Sequence, residues 1–139
     1  MGINMGYNSL FGDVVSILRH NLMLHLASIG LILNAEDYPH SSTLFRGLEL
    51  AGYIVDSKLA KYTRYDYIVM PVYLLSVRRF LSCLTALSKG GILILEVTGK
   101  ENKYEDKYIG MVGGKMSATK LKYGDRSYIV IHTGEDYGD

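Results

Sequence analysis

The chain has no tryptophan, one cysteine and two prolines, and its charges nearly cancel. A single cysteine, Cys83, excludes a disulfide scaffold and fits a reducing cytoplasm. It stands among apolar residues of an expected helix, where a thiol serves as a packing group. The four histidines do not supply metal-ligand spacing either. His20 and His25 do not share a helix face, and His40 and His132 are isolated, so no metal is expected. Fifteen basic against fourteen acidic residues leave a formal net charge of +1. That balance implies no long-range field and gives nucleic-acid binding no support from charge alone. The apolar stretch at residues 22–33 is broken by His25 and Ser28 and is too short to span a bilayer. No basic flank, apolar stretch and small-residue cleavage site follow one another at the start. No serine lies on a G-x-S-x-G elbow, so a Ser-His-Asp hydrolase is not indicated. The expectation is a soluble, cytoplasmic protein with no membrane contact.

What is present is a core. The 139 residues suit one domain, and a hydrophobic share of 48% is ample to bury one. Residues 1–8 and 134–139 are expected to be a loose lead-in and tail, with no repeat and no long linker between. The best-punctuated stretch is residues 65–99. There an apolar run precedes a helical pattern, then Lys89-Gly90-Gly91, then a second apolar run. This is a strand–helix–strand unit, which builds parallel sheet and places ligands at strand ends.

The remaining elements follow the same logic. Apolar residues from Leu10 to Leu22 recur at helical spacing behind Ser9. Residues 29–33 form a short buried strand, followed by the polar loop N-A-E-D-Y-P-H. Ser41 or Ser42 caps a helix through Leu44, Phe45, Leu48 and Ala51, and Gly52 ends it. Residues 53–55 and 67–70 are further strands. Ser76 caps a helix with an apolar face of Val77, Phe80, Leu81, Leu84 and Leu87, ended by Gly90-Gly91, and residues 92–97 are a fourth strand. Gly124-Asp125 joins two strand-like runs as a two-residue hairpin.

The expected architecture is a three-layer Rossmann-like α/β domain, its sheet mainly parallel, with an N-terminal helix and a C-terminal antiparallel β-hairpin. On Y-D-Y-I-V-M-P, K-G-G-I-L-I-L-E-V and the terminal hairpin, the chain resembles the class I S-adenosylmethionine-dependent methyltransferases, in a shortened form. The resemblance implies S-adenosylmethionine as cofactor. It places Asn34, Ala35, Glu36 and Asp37 at the cofactor's amino-acid end and Asp56 at its ribose. Met70, Pro71 and Tyr73 would line an unidentified methyl acceptor. The family's first loop carries three glycines; here those places hold Glu36, Tyr38 and His40. The segment between the second and third strands is too short for the family's helix, strand and helix.

Other readings stay open. A non-catalytic Rossmann-like module that binds a partner or forms a homo-oligomer fits the missing glycines. Residues 31–55 also resemble the opening of receiver domains, with Glu36 and Asp37 as the acid pair, but Val69-Met70-Pro71 offers no phosphoacceptor. Glu36 and Asp37 equally suit a solvated loop before a helix N-terminus. Asp56 equally suits a strand-end turn, and Tyr73 a rigid turn packing on a neighbouring loop. Lys58, Lys61, Arg64, Arg78, Arg79, Lys115, Lys120 and Lys122 could form a basic rim. With Tyr62, Tyr65 and Tyr123 between them, that rim would suit RNA stacking.

Overall fold

The structure is a computed structural model that describes residues 28–33, 41–74, 76–97, 116–123 and 126–133. The expected N-terminal helix, the loop carrying Asn34 to Asp37, the segment between residues 98 and 115, and Gly124-Asp125 lie outside the described residues.

Six strands form one sheet: β1 (Ser28–Leu31), β2 (Ile54–Asp56), β3 (Tyr65–Pro71), β4 (Leu87–Val97), β5 (Ser117–Tyr123) and β6 (Arg126–His132). Their order is β2-β1-β3-β4-β6-β5. β1 pairs in parallel with β2 and β3, and β3 with β4. β6 runs antiparallel to β4 and to β5, and Tyr123 faces Arg126 across the hairpin. The expected sheet and its closing hairpin are therefore present.

The two described helices cover opposite faces. Helix α1 (Ser41–Leu50) buries Leu44 and Leu48 against Ile29, Leu31, Val55, Tyr67, Val69 and Ile94. Helix α2 (Val77–Ala86) buries Phe80, Cys83 and Leu84 against Ile68, Met70, Leu93, Leu95, Ile129 and Ile131. Successive strand residues face opposite sides, so β3 and β4 supply both cores from near-continuous apolar runs.

Helix ends follow local chemistry. Gly52 has φ +105, a conformation costly for any residue with a Cβ. Its N–H donates to the Glu49 carbonyl (3.0 Å) and the Tyr53 N–H to the Leu48 carbonyl (3.1 Å). This pair of bonds satisfies carbonyls that a helix end leaves open. Ser76 caps α2 by accepting from the Arg79 N–H at 3.1 Å.

The other end of α2 departs from expectation. The helix stops at Ala86 rather than at Gly90-Gly91, and Leu87 is already extended and opens β4. Between two cross-strand pairs, β3 advances from Tyr65 to Tyr67 while β4 advances from Leu87 to Ile92. The surplus residues form a bulge, and Gly90 supplies its φ of +77. A Cβ on Gly91 would sit 2.8 Å from the Ser88 carbonyl. The two glycines therefore shape a strand irregularity, not a helix cap. The α2 face differs too: Val77 and Leu81, expected on the apolar face, are 44% and 52% exposed, whereas Cys83 is buried as a packing group. Cys83 lies 3.9 Å from the Met70 sulfur, on the helix face that also buries Phe80 and Leu84.

His132, at the end of β6, is half-buried, and burial lowers its pKa from 6.5. The unfolded chain then takes up this proton before the folded one does. Stability is expected to fall as pH drops below 6.5 and to level off below the folded pKa. Thermal melts at stepped pH check this: His132→Gln should flatten the acid-side decline, and an unchanged slope would contradict it.

Candidate functional site

β1, β2 and β3 are adjacent and co-directional, so their carboxyl ends share one edge. The chain leaves β1 through Ile32 and Leu33 and leaves β2 through Asp56. It leaves β3 through Pro71 into a 3-10 turn (Val72–Leu74). Crevices at such edges hold ligands in open α/β sheets.

Asp56 closes β2, in register with Gly30 of β1. Its Oδ2 accepts a hydrogen bond from the Tyr65 hydroxyl at 2.6 Å. Tyr65 starts β3 and is 1% exposed, so its ring lies across the α2 face of the sheet to reach Asp56. The same phenol oxygen accepts the Ala60 N–H at 2.8 Å, which ties down the loop after β2. Burial is the main cause that raises the Tyr65 pKa, and the Asp56 carboxylate adds to it. Tyr65 is thus committed to this network and cannot stack on a base, as the basic-rim reading would need. Tyr62 is 95% exposed, with Lys61 Nζ 5.5 Å from its ring centre.

Beside this pin opens a hollow of about 410 Å³. Its floor is Ile32, Leu59, Met70 and Cys83; its rim carries Ser57, Lys58, Ser76, Arg78, Arg79 and Ser82. Leu59 packs directly over Gly30, where a Cβ would lie 2.7 Å from Leu59 Cδ2 and would make that side chain shift. A glycine within an apolar strand marks such an approach. The hollow begins one residue after Asp56 and extends along α2.

The structure thus distributes the expected site residues. Asp56 stands at the edge, half-buried, with one oxygen bonded to Tyr65. Met70 lies beneath the hollow, 1% exposed, while Pro71 is buried in β3. Tyr73 falls in the 3-10 turn after β3. Asn34, Ala35, Glu36 and Asp37 lie outside the described residues. Sequence reasoning missed Ser57, Leu59 and Ser82; only Leu59 had a signal, the glycine at position 30 on which it packs. It also missed Glu96, 3% exposed within the apolar β4 and aligned with Pro71 and Tyr128. A carboxylate inside I-L-I-L-E-V was the available signal there.

Cys83 is a free, buried thiol, poorly placed for nucleophilic attack. Burial pushes its thiol up to about 11, against the pull of Arg79. Iodoacetamide is expected to leave Cys83 unmodified in the native protein and to alkylate it in denaturant. Rapid native labelling, read by mass spectrometry, would show that the hollow reaches the sulfur. Among the described residues no group of His, Cys, Asp and Glu could hold a metal. No helix among them is long and apolar enough to cross a membrane.

No family model and no curated protein matches this sequence. Solved structures do match in shape. A domain ascribed to a precorrin-6Y C5,15-methyltransferase of Corynebacterium diphtheriae is 11% identical, with a TM-score of 0.56, covering 94% of this chain and 98% of that one. A ribosomal protein L11 methylase of Lactobacillus delbrueckii subsp. bulgaricus is 10% identical, with a TM-score of 0.53, covering 88% and 78%. Phosphoethanolamine N-methyltransferase 2 of Haemonchus contortus, in complex with S-adenosyl-L-methionine, is 12% identical, with a TM-score of 0.56, covering 89% and 37%. At these identities the likeness establishes the fold: this chain has the Rossmann-like α/β fold of the class I S-adenosylmethionine-dependent methyltransferases.

Proposed function

We propose that this protein binds S-adenosylmethionine at the carboxyl edge of β1, β2 and β3 and transfers its methyl group to an acceptor. The observation that carries the reading is Asp56, a carboxylate closing β2 beside β1 in this fold. Among the described residues, its only hydrogen bond is the one from Tyr65. Its remaining acceptor capacity suits the ribose hydroxyls. The structural neighbour from Haemonchus contortus, which holds S-adenosylmethionine, supports the cofactor.

The bound cofactor supplies a methyl group already activated on a sulfonium, so the chain's own contribution is positioning. Tyr65 holds the Asp56 side chain in place before any ligand arrives. Asn34, Ala35, Glu36 and Asp37 take the amino-acid end. Met70, Pro71 and Tyr73, where the chain turns from β3 toward α2, border the acceptor.

Calorimetric titration tests this. S-adenosylmethionine and S-adenosylhomocysteine are expected to bind saturably, Asp56→Ala to abolish the signal, and Tyr65→Phe to weaken it less. No heat at millimolar ligand would remove the enzyme reading. It would leave the second reading, a non-catalytic binding or oligomerisation module. That alternative is favoured by Asp56 already holding Tyr65, and by the three glycine places filled with Glu36, Tyr38 and His40.

A further inference from the structure

The hollow beside Asp56 is lined unevenly, apolar below and cationic above. Lys58, Arg78 and Arg79 stand on its rim, over Ile32 and Leu59. The two elements that supply these cations carry no acid. Residues 57–64 contain Lys58, Lys61 and Arg64, and α2 contains Arg78 and Arg79. The described carboxylates nearest in sequence are already hydrogen-bonded. Asp56 accepts from Tyr65, and Asp66 accepts from the Ser28 N–H and the Ser88 hydroxyl, each at 2.9 Å. Among the described residues, a locally positive rim therefore sits on a chain whose net charge is near zero.

The cations are not equally free. Arg79 donates to the Leu74 carbonyl at 3.0 Å, which fixes its guanidinium at the start of α2. Arg78 and Lys58 make no side-chain hydrogen bond among the described residues, so both can close on a ligand. A guanidinium fork matches the oxygens of a phosphate, which carries about −1.5 to −2 charges near pH 7. S-adenosylmethionine carries a sulfonium and an ammonium against one carboxylate. A phosphate is therefore the better match to the cations of the rim. Roughly 300–1,000 Å³ is usual for a small-molecule site, and this hollow lies inside that range. Its apolar floor suits a flat ring.

We propose that this hollow binds a nucleotide, its phosphate held by Lys58 and Arg78 and its base resting on Ile32 and Leu59. The claim does not depend on cofactor binding. The ligand is either a free nucleotide or one residue of a single strand.

Titration of the full chain with the four ribonucleoside 5′-monophosphates, the matching nucleosides, inorganic phosphate and a single-stranded RNA decamer tests it. At least one monophosphate or the decamer is expected to bind saturably, and more tightly than nucleoside or phosphate alone. Binding by the decamer but by no monophosphate assigns a strand as the source. Added salt should weaken binding, and Arg78→Glu and Lys58→Glu should each weaken it about tenfold or more. Arg78 is exposed, so its variant should fold, which circular dichroism checks. Three results would overturn the proposal: no saturable binding of any nucleotide or decamer, binding insensitive to Arg78→Glu, or inorganic phosphate binding as tightly as the nucleotide. S-adenosylmethionine is titrated separately on the unaltered chain, so either reading can fail without the other.

Discussion

Phe80→Ala is expected to cost about 3–5 kcal/mol of unfolding free energy, a large share of the roughly 5–15 kcal/mol that holds an ordinary domain folded. Phe80 is 1% exposed and is the largest side chain that α2 inserts into the sheet. It packs within the cluster of Met70, Val72, Leu93 and Leu95. Only Cys83 and Leu84 join it as buried anchors of α2, and Val77 and Leu81 face outward. Truncation removes the largest of the three buried side chains that hold the helix, and a ten-residue helix does not persist in water unaided. Urea denaturation followed by far-ultraviolet circular dichroism checks this. A loss below about 1 kcal/mol would mean that α2 is held by something other than its aromatic anchor. Because α2 carries one wall of the hollow, the same substitution should weaken any ligand bound there.

Tyr65→Phe is expected to cost about 1.5–3 kcal/mol, the range for a hydrogen bond to a charged group. The phenol serves two partners, Asp56 Oδ2 and the Ala60 N–H, and the ring itself stays buried in the variant. Asp56→Ala should lose a similar amount, and the double variant should lose much less than the two together, since both remove one bond. Additive losses would show that the pin does not exist in solution. The titration behaviour adds a second check. The folded pKa of Tyr65 is raised above its ordinary 10.0, so the fold favours the neutral phenol. That stability is complete below pH 10 and is lost as pH rises through the folded value. Tyr65→Phe should remove this alkaline loss. The pair also separates structure from binding: Tyr65→Phe leaves the carboxylate for a ribose, whereas Asp56→Ala removes both.

Much of the fold was legible because its signals are local. Gly52 after Leu48 marks a helix end whatever the rest of the chain does, and the Ser76 hydroxyl caps the residues just after it. The strand at residues 67–70 is apolar on both faces, which requires cover on both sides. The glycine pair misled for the same reason. Gly90 and Gly91 read locally as a helix stop, but Leu87 pairs with Tyr65, and that pairing pulls the strand back into the helix's expected length. Leu81 was placed in the core by periodicity. The structure leaves Leu81 52% exposed, while Cys83, read from the sequence as a packing group, is buried beside Met70.

By itself, then, the sequence determined the alternation of the described strands and helices, the Gly52 and Ser76 caps and the pairing of the closing hairpin, since each depends on residues near one another in the chain. Only the tertiary structure decided that Tyr65 reaches Asp56, that Leu59 lies on Gly30, and that Lys58 and Arg78 line one hollow. Those contacts join segments separated by whole elements, and side-chain reach across a packed sheet has no periodicity that a linear pattern can carry.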